Sequence, residues 1–309
     1  MIRAFYILIL LLLESVLSMR AEFRGPDFNF VHINTENGLP SNRVRDIVQD
    51  DEGFIWFATD GGLVRYDGRA TKVYVPQLEG QQEDVFVMSL CRYRNGLLVG
   101  TDNGLFGYDP VKESLSPLPL KYAVNVSGRI SGTVLNIAVD SDESILLAVD
   151  HEGIFKISPS GMVIAQYHFP EVDNHITKVY LDESDGVWAL SNSYEGRIYK
   201  YDRRDSRFKI FTLNIDGEES TIGGSALLCD QNGTYWLGTW TEGLIRFNSR
   251  TGEATRFCNS PVVPAWHIIQ SLSSHRPCYW WVQTPDCCCW ISPAATIASI
   301  MPMNCTRRG

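Results

Sequence analysis

The chain has 309 residues, 44% apolar and 20% charged, the composition of a soluble chain large enough for one repeat-built domain or part of a larger one. Its formal net charge of -9 argues against nucleic acid as a partner.

Residues 1–21 read as an export signal. Arg3 precedes an unbroken apolar run over 4–13, and 15–21 supplies small residues for cleavage after Ser18 or Ala21. The run is short for a spanning helix, so export is expected rather than a permanent anchor. A lone strand is expected over 28–33.

The stretch 38–68 then sets the pattern for the rest. Strands are expected at 44–48, 54–59, 63–66 and 72–75, separated by Asp50-Asp51-Glu52-Gly53 and Asp60-Gly61-Gly62 turns. The same module recurs four more times, as a small residue, a hydroxyl or similar residue, an acidic turn, Gly-Leu, and an aromatic followed by Asp. With Thr59, Thr101, Val149, Ser191 and Thr239 as marks, the intervals are 42, 48, 42 and 48 residues. A four-stranded sheet of about 45 residues cannot bury both its faces alone, so such modules stack around an axis. The fold class expected is therefore all-β, a β-propeller of four-stranded blades, incomplete, with five recognisable blades over 22–257 and a disrupted sixth. The strand at 28–33 would complete the final blade and close the ring. Neither the WD40 signature nor regular kelch glycine pairs are present. Cys91 and Cys229 fall in modules two and five, which are not neighbours in a ring, so they read as buried fillers rather than a disulfide.

Beyond Cys258 the composition changes. Among the last 51 residues only Arg276, Asp286, Arg307 and Arg308 are charged, and five of the eight cysteines lie there. Three adjacent cysteines at 287–289 cannot all face one metal, so no metal site is expected. The genetic code offers another account. Residues 286–291 must be encoded GAY-TGY-TGY-TGY-TGG-ATH, and the frame starting at each codon's last base gives Leu-Leu-Leu-Leu-Asp whatever the codon usage. With the preceding shifted codon, NGA, read as glycine, the peptide has the form of Gly62-Leu-Val-Arg-Tyr-Asp67, at the position where a sixth module is due. Residues 258–309 are accordingly expected to be a frameshifted tail replacing a sixth blade, with the shift between Cys258 and Pro285.

Gly38-Leu-Pro-Ser-Asn42, Asp50 with Gly53, Ile55-Trp56-Phe57-Ala58-Thr59 and Gly62-Leu63 with Tyr66-Asp67 resemble the repeats of the two-component regulator propeller family. The resemblance covers about 28–257, and modules three and four depart from it, with Val149 and Ser191 at the Thr position and Arg197 where Leu is expected. It implies the periplasmic sensor region of an inner-membrane protein, commonly a hybrid sensor histidine kinase, otherwise a diguanylate cyclase. The implied partners are a small ligand such as an oligosaccharide, the missing remainder of the sensor, and a second copy of the parent in a homodimer. No kinase, receiver or cyclase motif is present, so this chain itself is not expected to be an enzyme. The alternative is a free secreted propeller acting as a carbohydrate-binding scaffold or lyase-like enzyme.

The remaining chemistry is sparse. His32, His151, His168, His175, His267 and His275 show no i, i+4 pairing and read as surface or loop residues; no catalytic residue and no cofactor is expected. Asp50-Asp51-Glu52 and 140–143 lack the spacing of a calcium loop. Trp56, Trp188 and Trp236 occupy equivalent strand positions and read as packing between blades. Trp240, in the turn after Thr239, and Glu242 are the candidates for ligand contact, with Arg43, Arg45 and Asp60 behind them. A ring cut short leaves open faces and unpaired edges, so poor expression is expected.

Overall fold

The computed structural model describes residues 33–77, 85–122, 127–128, 130–182, 186–191, 196–230, 232–239, 243–258, 280–283 and 288–291. The export signal, most of the strand expected at 28–33, and most of the tail lie outside them. Contacts divide the chain after Ile33, and the described sheets all belong to the unit 34–309.

Each module folds as a four-stranded antiparallel meander. The first contains β1 (Val44–Gln49), β2 (Ile55–Thr59), β3 (Gly62–Tyr66) and β4 (Thr71–Tyr74). The second contains β5 (Val87–Tyr93), β6 (Gly96–Thr101), β7 (Gly104–Asp109) and β8 (Ser114–Pro117). A hairpin, β9 (Leu120–Tyr122) and β10 (Ser127–Gly128), precedes the third meander, β11 (Val134–Val139), β12 (Ile145–Val149), β13 (Gly153–Ile157) and β14 (Met162–Tyr167). The fourth contains β15 (Lys178–Leu181), β16 (Val187–Leu190), β17 (Ile198–Asp202) and β18 (Arg207–Ile210). A second hairpin, β19 (Leu213–Ile215) and β20 (Glu218–Ser220), precedes the fifth, β21 (Ala226–Cys229), β22 (Tyr235–Gly238), β23 (Leu244–Phe247) and β24 (Glu253–Cys258). In the tail, β25 (Trp280–Gln283) pairs antiparallel with β26 (Cys288–Ile291).

The two extra hairpins account for the alternating 42- and 48-residue intervals. Both lie in the longer ones, and both add to the next sheet's outer edge. Lys121 and Tyr122 of β9 pair in parallel with Met162 and Val163 of β14, and Asn214 and Ile215 of β19 with Glu253 and Ala254 of β24. Four strands per module are expected from the sequence, and the hairpins add an edge cover beyond them. They protect strands that would otherwise present open hydrogen-bonding groups.

Burial explains why the second strand of every module is almost wholly apolar. Residues along a strand face opposite sides in alternation, and here both sides are covered. Leu97 and Val99 of β6 pack toward the first sheet, while Leu98 packs toward the third. On β12, Ile145, Leu147 and Val149 face the second sheet, and Leu146 and Ala148 the fourth. On β16, Val187 and Ala189 face the third, and Trp188 and Leu190 the fifth. The core is thus a series of slabs between successive sheets, as expected of a propeller. Trp56 and Trp188 are enclosed, at 2% and 0% exposure, and Trp236 is half-buried.

Hydrogen bonds along the inner strands tie neighbouring sheets together. Where the register of β1, β5 and β11 shifts, each carries a polar residue opposite a small one: Asp46 opposite Ala58, Ser89 opposite Gly100, and Asn136 opposite Ala148. The Leu90 N–H donates to Asp46 Oδ2 at 2.8 Å, Ser89 Oγ donates to the Val134 carbonyl at 3.1 Å, and the Val179 N–H donates to Asn136 Oδ1 at 2.8 Å. Burial raises the Asp46 pKa above its ordinary value, opposed by the charge of Lys178 and the N–H groups of Leu90 and Ile47. Cys91 and Cys229, on the inner strands β5 and β21, are not joined by a disulfide and are half-buried rather than fully enclosed, and burial pushes the Cys91 thiol up to about 12.

Candidate functional site

The turns after β2, β6 and β12 follow the repeat residues that the sequence singles out. Each turn begins with an aspartate, Asp60, Asp102 or Asp150, next to the repeat residue that ends the strand. Thr59 Oγ1 donates to the Gly62 carbonyl at 2.7 Å and accepts from the Gly61 N–H at 3.2 Å. Thr101 Oγ1 does the same with Gly104 and Asn103, and Thr239 Oγ1 donates to the Gly243 carbonyl at 2.9 Å. The threonine is therefore a pin for the turn. Gly62 takes a φ of +121°, and a side chain on Gly61 would collide with Pro40 of the preceding loop, 2.6 Å from where its Cβ would lie. Those contacts give physical meaning to the Gly-Leu-Pro and Gly-Gly parts of the first module.

In the first sheet the turn gathers three of the residues anticipated from sequence. Arg45 Nε lies 2.6 Å from Asp60 Oδ1, and Arg43 Nη1 lies 3.5 Å from Asp60 Oδ2. The Arg43 side chain is 70% exposed and open to a ligand, whereas Arg45 and Asp60 are mostly covered. Asp102, which sequence reasoning does not single out, accepts the Phe86 N–H at 2.9 Å. Burial raises its pKa, the Phe86 N–H and Arg45 oppose that rise, and Asp60 adds to it. Two guanidinium groups beside two carboxylates can offer forked donors to a carboxylate or hydroxyl and acceptors to neighbouring hydroxyls. Trp240 and Glu242 lie outside the described residues.

A second group lies between the third and fourth sheets. His175 Nδ1 is 2.5 Å from Asp150 Oδ1, His151 Nε2 is 3.8 Å from the same oxygen, and His151 Nδ1 is 3.1 Å from Asp173 Oδ2. The imidazole rings of His151 and His175 are 5.8 Å apart. Asp150, foremost, raises the His151 pKa, with the Asp173 carbonyl and carboxylate contributing. Both histidines are loop residues, as the sequence implies, but the fold brings them together across 24 positions, which no local spacing rule detects.

A cavity of about 310 Å³ opens between the same two sheets, with Asp140, Asp142, Lys156 and Arg203 around Tyr167 and Tyr201. Among the described residues no helix is long and apolar enough to cross a membrane.

Successive four-stranded meanders packed face to face define a β-propeller fold. Residues 38–61 match the family model described as "Two component regulator propeller". No curated protein matches the chain. Among solved structures, it is similar to the extracellular domain of a putative hybrid two component system from B. thetaiotaomicron, with a TM-score of 0.68, 19% identity, and coverage of 90% of this chain and 37% of that one. It is also similar to a streptogramin B lyase, with a TM-score of 0.60, 14% identity, and coverage of 88% and 86%. A catalytically inactive virginiamycin B lyase from Staphylococcus aureus with quinupristin gives a TM-score of 0.61 at 12% identity, covering 84% of each chain. At these identities the likeness is one of fold. The chain spans little more than a third of the sensor domain it resembles.

Proposed function

We propose that this chain is the amino-terminal part of the ligand-sensing propeller of a two-component sensor, exported by residues 1–21 and acting in the periplasm. The remainder of the sensor, with its membrane helix and kinase output, would be encoded beyond it. The observation that supports this most is the family match at 38–61, in a module whose pinned turn and aspartate-tryptophan pairing recur in later sheets. The likeness to a sensor's extracellular domain, of which 37% is spanned, points the same way. A diguanylate cyclase output would use the same propeller.

Arg43, Arg45 and Asp60, with Trp240 and Glu242, are proposed to contact a small ligand of the oligosaccharide class. For signalling, that ligand must favour one arrangement of the sensor over another, because only differential affinity shifts a two-state equilibrium. Binding to the folded chain alone is also measurable. A ligand at a hundred times its Kd adds about 2.7 kcal/mol to stability. Thermal unfolding in the presence of defined neutral and uronate-containing oligosaccharides, repeated with Arg45→Ala, tests the reading. The expected result is a rise in Tm with one sugar class that the substitution removes. A flat response to every sugar, or an Arg45→Ala variant that responds like the parent, overturns the assignment of these residues.

The coverage of nearly the full length of two lyases favours a second reading, a free secreted lyase-like propeller. Conversion of quinupristin by the purified chain, followed by mass spectrometry, would support that reading over the first.

Residues 258–309 are proposed to be out-of-frame translation of a further blade, on the strength of the shifted codons at 286–291.

A further inference from the structure

We propose that Asp150, His151 and His175 form a zinc-type metal site that bridges the third and fourth sheets. One ligand atom from each residue lies within 4.8 Å of the others. Tetrahedral zinc with bonds of about 2.0–2.1 Å places its ligand atoms roughly 3.3 Å apart. The separations of 2.5 and 3.8 Å about Asp150 Oδ1 straddle that value, and the third lies within 4.8 Å. Two imidazoles and a carboxylate are the donor set of zinc and its neighbours among the transition metals, whereas calcium and magnesium favour all-oxygen sets.

An independent observation concerns the tautomer of His151. Its Nδ1 faces Asp173 Oδ2 at 3.1 Å and the Asp173 carbonyl at 3.3 Å, which leaves Nε2 as the nitrogen turned toward Asp150. A ligating histidine commonly donates its second N–H to a carboxylate or carbonyl in this way, which fixes the ring and raises its basicity. Asp173 thus occupies the position of an outer-sphere partner.

Both ligand-bearing segments are held by the fold. The Asp150 N–H donates to the Thr133 carbonyl at 2.9 Å, and the Glu152 N–H to the Val149 carbonyl at 3.0 Å. His175 sits in a loop anchored by buried Phe169, Val172 and Ile176. The His175 N–H donates to the Val172 carbonyl, and Asn174 Oδ1 accepts the Phe169 N–H at 2.6 Å. Neither segment has to refold to present its ligand, so the metal would act as a clamp between two sheets. Such a clamp does not depend on a sensor role for the chain.

The test uses the full chain, purified without a histidine tag and stripped with a chelator. Zinc is titrated by calorimetry, and cobalt(II) spectra identify the donor types, because metal held by a stray cysteine thiolate of the chain would reveal itself by charge transfer. The expected result is one equivalent of zinc bound, and cobalt d–d bands without thiolate-to-metal charge transfer. His151→Ala and His175→Ala should each weaken binding by more than about tenfold, and Asp173→Asn by about tenfold. His151→Ala alters an exposed turn and keeps the test meaningful if His175→Ala fails to fold. Absence of binding, a cobalt spectrum dominated by thiolate charge transfer, or affinity unchanged in His151→Ala would each overturn the proposal.

Discussion

Trp56 Nε1 donates to Asp50 Oδ2 at 2.7 Å, while the other oxygen of the same carboxylate accepts the N–H groups of Glu52 and Phe54. One aspartate therefore closes the hairpin between β1 and β2 and fixes the indole that fills the slab beside it. The pairing recurs from Trp188 to Asp182 at 3.1 Å and from Trp236 to Asp230 at 3.0 Å. Asp182 also accepts the Tyr235 hydroxyl from the fifth sheet, linking two sheets through one carboxylate. Replacing Asp50 with alanine strands a largely buried indole N–H and unties the turn. The expected loss is about 1–3 kcal/mol in urea unfolding, with Asp50→Asn retaining part of the wild-type stability.

The threonine of the repeat is a structural pin, and its removal should be felt in stability. Thr59→Val keeps the shape but deletes one donor and one acceptor, at about 1–2 kcal/mol. Val149 already occupies this position in the third module, where His151 adopts a left-handed φ of +57° in the turn. Val149→Thr is therefore expected to shift stability less than Thr59→Val does, which paired thermal melts would show.

Asn136 supplies a hydrogen bond across the apolar seam between the third and fourth sheets. Its Oδ1 takes the N–H of Val179, which is 5% exposed, so Asn136→Ala leaves a buried donor unsatisfied. A loss of about 1–3 kcal/mol is expected, together with faster hydrogen exchange at the Val179 amide.

Acid sensitivity should track the aspartate that closes the β17–β18 hairpin. Lys209 foremost, then the Arg204 N–H, holds the Asp202 carboxyl down to about 2, from an ordinary 3.8. A lowered folded pKa gives stability that is present above the unfolded value and lost as pH falls through the folded one. Asp202→Ala should therefore lower Tm at neutral pH, and the difference from the parent should shrink between about pH 4 and 2. A difference independent of pH would contradict the assignment.

The repeat is legible in the sequence because each sheet is buried on both faces and must be closed by a turn that needs Gly, Asp and Thr at set positions. All five meanders fall where the marks Thr59, Thr101, Val149, Ser191 and Thr239 place them. The hairpins β9–β10 and β19–β20 are not legible, since three-residue strands such as Leu213–Ile215 carry too little alternation to register. The alternation of 42 and 48 residues is their only trace. At the site, Arg43, Arg45 and Asp60 converge because they flank one hairpin, so local sequence suffices. Asp150 and His175 meet only through the stacking of two sheets, and that register is a property of the assembled fold.

Whether this chain is a piece of a longer sensor is read most directly from the nucleotide sequence of its locus, through the codons around Cys258 and several kilobases beyond. The shifted frame should continue through further propeller repeats to a membrane helix and a kinase or cyclase. A genuine stop after Gly309, with no repeat codons downstream in any frame, would contradict the sensor assignment and favour a secreted binding or lyase-like propeller.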